Sequence, residues 1–412
     1  MSWRDGALAP LRDRRFRWFF ASQAVDLWGT TMAPVALAFA VLAIDDSATA
    51  LGQVLAARSI PTVLLLLAGG VIADRVGRRL VIQVSNGVSA ISQGTAAALV
   101  ITGHAELWHL AVIAAVNGTA DAANFPATQG MVPQLVPRSQ LQAANALLAT
   151  TRGALLAVGP TTAAALVVTV GPGWALAVDA LTWFVALLLL LPVRIPPPVR
   201  EAATSVLHDL REGWSLFRGT AWLWQVVLAF ALLNAIIAGA WHTLGPPRAL
   251  DTIGAVGWGY VLSAFAVGLV AGGLVMMRVR IRRPLRAGML GVSLFAAPLL
   301  MLGLEPVLPL LMTGAFVAGV GMELFGVGWS LAMQENIAED KLSRAFSYDA
   351  LGSLVAVPVG QVVVGPLAAW LGLRPVLVGA AAAYALICLA TLGSRAVRTL
   401  ERAPAEDPAP VR

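Results

Sequence analysis

Lysine is all but missing from this chain: Lys341 is the only one among 412 residues. It follows Asp340, so no Gly-x-x-x-x-Gly-Lys-Ser/Thr phosphate loop can form and ATP cannot be held in that way. Cysteine is as scarce. Cys388 stands alone in the apolar run Ala385 to Leu392, which excludes an internal disulfide and makes a packed thiol the expectation. The four histidines, His104, His109, His208 and His242, are scattered over separate loops and span ends. Neither His-Glu-x-x-His nor Cys-x-x-Cys spacing occurs, so no metal centre is expected, and no other cofactor. A Gly-x-Ser-x-Gly elbow is missing too, and with it the usual serine nucleophile. Charge itself is short: 12% of residues are Asp, Glu, Lys or Arg, where a soluble domain carries about a quarter.

Apolar residues take the space, at 58% with a mean hydropathy of +0.79. This is the composition of an all-α membrane protein, and at about 20 residues per span the chain has room for about a dozen helices with short loops. Hydropathy and breakers place spans near Phe16 to Ile44, Ala50 to Ala73, Leu80 to Thr102, Leu107 to Thr128, Leu141 to Val170 and Trp174 to Val193. Six more follow near Ala221 to Trp241, Gly257 to Met277, Leu285 to Leu304, Val307 to Trp329, Phe346 to Leu371 and Pro375 to Leu392. The stretch Met1 to Arg17 is too polar for a cleavable signal peptide, so the first span is expected to stay as an anchor.

Basic residues fall on one side of this pattern. Arg4, Arg12, Arg14, Arg15 and Arg17 precede the first span, and the same face receives Arg75 to Arg79, Arg194 to Arg218, Arg278 to Arg286 and Arg395 to Arg412. The opposite loops hold only Arg248 and Arg374. By the positive-inside rule both termini are cytoplasmic in a cell membrane, and the formal charge of +6 needs no nucleic-acid partner.

The chain divides into a six-helix half (residues 1–193), a cytoplasmic linker (194–220), a second six-helix half (221–395) and a Pro- and Ala-rich tail (396–412) expected to be disordered. Within the linker, Val206, Leu210, Trp214 and Phe217 share one face of a helix over Ser205 to Arg218, which reads as an amphipathic helix lying at the membrane interface. The halves are alike: Ala68 to Val76 aligns with Ala271 to Val279, and Leu141 to Gly159 with Leu342 to Gly360. A parallel repeat of about 200 residues implies a transporter built around a pseudo-two-fold axis along the membrane normal, with the substrate path between the halves.

The stretch Gly70-Val-Ile-Ala-Asp74-Arg75-Val-Gly77-Arg78-Arg79, between the second and third spans, resembles the signature loop of the major facilitator superfamily. Two further stretches resemble its drug and siderophore exporters, the macrolide and enterobactin exporters among them: Val132 to Pro137 leading into Ala144 to Leu147, and Gly171 to Trp174 leading to Asp179. Gly153, Gly159 and Pro160 match part of the antiporter motif of the fifth span, while Ala163 and Ala164 stand where the family usually closes with a Gly pair. The resemblance implies alternating access by a secondary transporter rather than an enzyme. It also implies a latch, in which Asp74 meets the positive end of the eleventh helix, Gly70 allows close helix approach and Gly77 permits the turn. Arg78 and Arg79 are expected to meet acids or lipid phosphates.

Charges deep in the spans carry the rest. Asp26 lies about 14 Å in from Arg17, Asp121 about 15 Å from Met131, and Arg152 about 15 Å from Gln142, at 1.5 Å per residue. Glu323 is the repeat counterpart of Asp121. Each buried acid costs roughly 2.5–3.5 kcal/mol on insertion scales, so each should face a cavity or a partner. Asp26, Asp121 and Glu323 are therefore the candidate proton carriers, with Arg152 as the charge partner that approaches and leaves. Arg58 and Asp179, nearer the outer ends of their spans, and Asp349, near the inner start of its own, read as structural. Trp28, Trp108, Trp241 and Trp329 read as interfacial anchors.

The expected function is proton-coupled export of a hydrophobic or amphiphilic small molecule by a monomer embedded in the lipid bilayer. An importer or facilitator of a polar metabolite is the alternative on the same scaffold. An integral membrane enzyme, or a receptor that no longer transports, fits the deep acids less well. The topology is testable with single cysteines at positions 104, 208 and 374 in a Cys388→Ser background: positions 104 and 374 should label from outside and 208 from inside. Labelling of position 104 from the inside alone overturns the orientation.

Overall fold

In the computed structural model, residues 8–137, 140–193, 214–215, 217–276, 281–337 and 339–401 are described, and their regular structure is helical throughout. A short 3-10 turn (Ala9–Arg12) leads to α1 (Arg14–Ile44), which Asp13 caps by accepting from the Arg15 and Phe16 amides. There follow α2 (Ala48–Val76), α3 (Arg78–Ile101), α4 (Leu107–Leu135), α5 (Leu141–Val170) and α6 (Pro172–Leu190). In the second half, α7 (Ala221–Ile236) runs on as a π-helical segment (Ile237–Thr243) and a short helix (Gly245–Leu250), and α8 spans Gly254–Met276. α9 is in two pieces (Pro284–Ser293 and Ala296–Gly303), α10 spans Leu308–Asn336, α11 is again in two pieces (Glu339–Leu354 and Val357–Leu371), and α12 spans Leu373–Gly393.

The two breaks have a common cause. A proline removes an amide and crowds the carbonyl four residues back, so Pro298 interrupts α9 at Leu294–Phe295, and Pro358 interrupts α11 just after Leu354. Among the described residues, eleven helical stretches are long and apolar enough to cross a membrane. The helix that falls short is α4, 29 residues long, because His109, Asn117, Asp121 and Asn124 lie along it.

The repeat is visible in the packing. In the first half α2 packs on α4, α3 on α4 and α6, and α1 on α5 and α6; in the second, α8 packs on α10, α9 on α10 and α12, and α7 on α11 and α12. The matched glycines make the matched contacts. A Cβ on Gly69 would stand 2.1 Å from the Ala122 carbonyl oxygen, and one on Gly272 2.8 Å from that of Val320. The helix-ending glycines Gly171 and Gly372 both lie in the left-handed region, at φ 94° and 88°.

Core aromatics differ from the interfacial role expected of them. Trp241 is fully buried, its ring 4.9 Å from Trp258 and 5.1 Å from Phe295, which lies between the two pieces of α9. Trp329 is buried against Phe325 and Trp222 and donates to Asp349 at 2.9 Å. Trp28 and Trp108 are exposed. Of the linker helix only its end is described: Trp214 and Phe217 pack on Tyr348 of α11, while Val206 and Leu210 lie outside the described residues. The tail expected to be disordered begins with a helical turn (Arg395–Arg398), and Glu401 pairs with Arg283 at 2.8 Å; residues 402–412 lie outside the described residues. Cys388 is buried and free, as a packed thiol.

The halves meet through α2 with α11 and α5 with α8. Ser59 donates to Gln361 at 2.6 Å, Thr161 and Ser263 share a hydrogen bond of 2.6 Å, and Gly259 packs on Pro160 and Ala164. These contacts lie from mid-bundle toward the end opposite the basic loops, with Gly153 against Val270 the nearest to the basic end. The closure depends on glycine. A Cβ on Gly365 would stand 2.4 Å from Thr49 Cα, so Gly365→Leu should wedge α2 and α11 apart. Spin labels on the outer ends of these helices should report a longer mean distance in the folded variant, and an unchanged distance would contradict this closure.

Candidate functional site

The first half holds a polar core at mid-depth. α1 is fixed to α6 at two levels: Ser22 Oγ donates to the Ala186 carbonyl at 2.8 Å, and one turn or two further on Gly29 lies against Thr182 and Asp179. Asp26, between those levels, is buried and accepts from Thr30 Oγ1 at 3.3 Å. α2 meets α4 where Gly118 lets the helices touch; a Cβ there would stand 2.0 Å from the Arg58 carbonyl oxygen, and Thr62 Oγ1 donates to the Gly118 carbonyl at 3.0 Å. That approach brings the Arg58 guanidinium onto Asp121, with Nε at 3.0 Å and Nη2 at 2.8 Å from one carboxylate oxygen.

Behind the pair runs a chain of neutral groups. Ser92 Oγ donates to Asn117 Oδ1 at 2.7 Å, Asn117 Nδ2 to Gln93 Oε1 at 3.0 Å, and Gln93 Nε2 to Asp179 Oδ2 at 2.8 Å. Asp179 is almost wholly buried. Asp26 lies within electrostatic range of both Asp121 and Asp179, and Arg58 within range of Asp121 and Asp179. Three carboxylates on α1, α4 and α6 therefore act on one another, and one guanidinium from α2 pairs with Asp121 and also acts on Asp179.

This differs from the expected pairing. Arg152 is exposed and makes no ion pair among the described residues, whereas Arg58 holds Asp121. The reason is helix neighbourhood: α4 packs tightly on α2 and hardly touches α5. Sequence reasoning set Arg58 and Asp179 aside as structural and near the outer face. A signal was available for Arg58, since counting from the start of α2 at Ala48 puts it about 15 Å deep. Glu323 is half-buried in α10, its side chain lying over Gly272 and Gly273 of α8, and it has no ion partner among the described residues. It shares the repeat position with Asp121 but not the surroundings. Asp349 accepts from Trp329 and from Ser353 at 3.2 Å.

The signature loop is defined by its backbone and by two arginines. Gly77 has φ 104°, a conformation that residues other than glycine rarely adopt, as the expected turn requires. Arg78 donates to the Gly130 carbonyl of α4, and Arg79 Nη2 to the Leu191 carbonyl at the end of α6, at 2.9 Å. Both arginines thus reach main-chain carbonyls of neighbouring helices, and the Arg79 contact sets a positive charge at the negative end of a helix. The side chains of Gly70, Asp74 and Arg75 lie outside those described, and with them the latch contact. A separate cavity of about 410 Å³ between α7, α11 and α12 is lined by apolar residues alone, such as Val363, Leu367 and Ala380, and offers no polar group to orient a ligand.

The Arg58–Asp121 pair makes a stability prediction. Removing one partner leaves the other charge unpaired at mid-depth, at a cost of about 1.5–3 kcal/mol for a charged hydrogen-bonded pair that is about a quarter exposed. Arg58→Ala should therefore be less stable to detergent unfolding than the double variant Arg58→Ala, Asp121→Ala, while Arg152→Ala should match the parent. Equal stability of the single and double variants would refute a paired role.

Comparison with known proteins agrees with this architecture. The family described as transmembrane secretion effector matches residues 5–304. The multidrug efflux pump Tap of Mycolicibacterium fortuitum is 26% identical over 365 residues, covering 84% of this chain and 87% of that protein. Macrolide efflux protein A of Streptococcus pyogenes is 22% identical, covering 84% and 88%. Among solved structures, a bacterial homologue of the human lysosomal transporter Spinster, in an inward-facing and unoccupied conformation, superposes with a TM-score of 0.75 at 15% identity, covering 96% of this chain and 99% of its own. The nucleoside transporter NupG superposes with a TM-score of 0.70 at 13% identity, covering 92% and 98%. With helix order, internal repeat and half-to-half contacts in agreement, the chain belongs to the transmembrane secretion effector family, and is a multi-pass secondary transporter of the major facilitator superfamily.

Proposed function

We propose that this transporter exports a hydrophobic or amphiphilic small molecule in exchange for protons, with the basic loops and both termini in the cytoplasm. The observation that carries the coupling is the charge count at mid-depth, where Asp26, Asp121 and Asp179 act on one another and a single arginine, Arg58, pairs with Asp121. Uncompensated carboxylates are costly in hydrocarbon, and protons are the simplest means of neutralising the surplus. An acid that accepts a proton on one side and yields it on the other links the gradient to the cycle, and one charge moved through the field is worth about 2.3 kcal/mol per 100 mV. Export is supported by the relatives, which are named as multidrug and macrolide efflux proteins.

In this reading Asp26 and Asp121 are the coupling acids of the first half and Glu323 that of the second. The partner whose approach and departure tunes them is Arg58 in place of Arg152. The signature loop, with Gly70, Asp74, Arg75 and Gly77, acts as the latch at the cytoplasmic end, which Arg78 and Arg79 anchor to α4 and α6. Contacts between the halves run from mid-bundle to the opposite end, which supports a state open toward the cytoplasm. The transporter works as a monomer. One feature favours the second reading, import of a polar metabolite: Arg152 is exposed, has no ion pair among the described residues, and would suit an anionic cargo.

Ethidium movement in proteoliposomes, driven by an imposed pH gradient, tests the coupling. Asp26→Asn, Asp121→Asn or Glu323→Gln at the true coupling acid should abolish gradient-driven accumulation and preserve ethidium exchange at equal concentrations. Full gradient-driven movement in all three variants removes these residues from the assignment.

A further inference from the structure

The polar core of the first half continues beyond the residues that hold one another. Along α3, Asn86, Ser89 and Gln93 share the face turned into the bundle, and all three are at most 4% exposed. Gln93 is bonded at both ends of its amide. The others are not: both amide atoms of Asn86, the Ser89 hydroxyl and Asp179 Oδ1 are buried and lack a hydrogen bond of ordinary geometry with the described residues, although Trp183 lies near enough to act on the Asp179 carboxyl. Four such atoms in the core of one half call for partners, since buried polar groups are nearly always paired with protein or with ordered water. Asn86 to Gln93 spans about 10.5 Å at 1.5 Å per residue, with neighbours on the face about 5–6 Å apart, which a single bridging water covers.

The surroundings bound the space open to such waters. Toward the basic end the file is closed by apolar side chains, Phe16, Phe19, Ile82, Met131 and Leu190, each fully buried. At its other end, a cavity of about 10 Å³ is bounded by Arg58, Gln93, Asn117 and Leu110, about the space that one water requires. The side facing α1 leads to an acid. Ser22 is level with Ala186 and Gly29 with Thr182, while Gly87 packs on Leu187 and Gln93 bonds Asp179; these pairings put Asp26 at the depth of Ser89.

We propose that the core of the first half holds a short file of ordered waters along Asn86, Ser89 and Asp179, and that this file relays a proton between Asp26 and Asp179, out of the path of the substrate. In the step, the carboxyl O–H of Asp26 gives its proton to a water of the file, and that water gives one of its own to the Asp179 carboxylate. Asp26 is left ionised, Asp179 neutral and the water unchanged, with no other co-reactant. The charged and titratable groups facing Asp179 are Asp26 from α1, Arg58 from α2 and Asp121 from α4; α3 offers only neutral groups. The relay rests on the proton-coupled reading, but the file itself is a property of the core and is tested separately.

Infrared difference spectroscopy of the reconstituted protein reads the file directly. A pH step should reveal the carboxyl stretch of a protonated acid that disappears in Asp179→Asn, and transfer to D2O should shift it as the proton exchanges. With the file dried by Asn86→Leu or Ser89→Ala, exchange at Asp179 should slow by about tenfold or more, corresponding to about 1.4 kcal/mol of barrier. Thermal unfolding of the same samples shows whether each variant is folded, and Ser89→Thr, which keeps the hydroxyl, should restore the parental rate. Unchanged exchange in both folded variants, or no carboxyl band assignable to Asp179, overturns the proposal. If the band and its exchange behave as stated while ethidium transport ignores the pH gradient, the file stands and the coupling reading fails.

Discussion

Helix α2 lies close against α4 because Gly118 and Gly69 have no side chains, and on the Gly118 contact the polar interior of the first half depends. It brings Arg58 to Asp121, and the pair in turn sets the charge that Asp26 and Asp179 experience from neighbouring helices. In hydrocarbon a polar group has no solvent to fall back on, so a small change in helix spacing decides whether a charge is paired or stranded. Small residues therefore do more than permit packing here. They fix which side chains of adjacent helices meet.

The same principle works between the halves, with weaker contacts. Ser59 with Gln361 and Thr161 with Ser263 are single neutral hydrogen bonds, each worth about 0.5–1.5 kcal/mol net. Contacts of that size can be made and broken in a transport cycle, whereas the ion pair and the Asn117–Gln93–Asp179 chain lie inside one half and move with it. Rigid halves joined by labile contacts are what alternating access needs. The breaks in α9 and α11 fall in the second half alone, and Phe295, at the α9 break, packs with Trp241 near the repeat position that Gln93 holds in the first half.

Most of the architecture was legible in the chain. Long apolar runs, arginines on one face and two copies of a Gly-rich stretch require twelve helices in two parallel halves, because hydrocarbon leaves few alternatives. Span boundaries agreed within a few residues for most helices; α9 and α11 were expected to be continuous, although Pro298 and Pro358 were in plain view. The helical turn at Arg395–Arg398 and the Arg283–Glu401 pair were also unexpected, since composition alone carries no sign of a contact so distant along the chain.

The depth of a charge can be counted from the sequence at 1.5 Å per residue where the helix ends are marked by loops, although Arg58 was placed too near the outer end of its span. Asp26 and Asp121 could be placed at the midplane by counting alone. Which charge faces which was settled only by the tertiary structure. Arg58 and Arg152 both lie deep enough to reach Asp121, but α2 packs on α4 and α5 does not, so Arg58 forms the pair and Arg152 is left exposed. Depth is a coordinate along one helix, whereas partnership depends on rotation about its axis and on which helices are neighbours, and no local pattern encodes that.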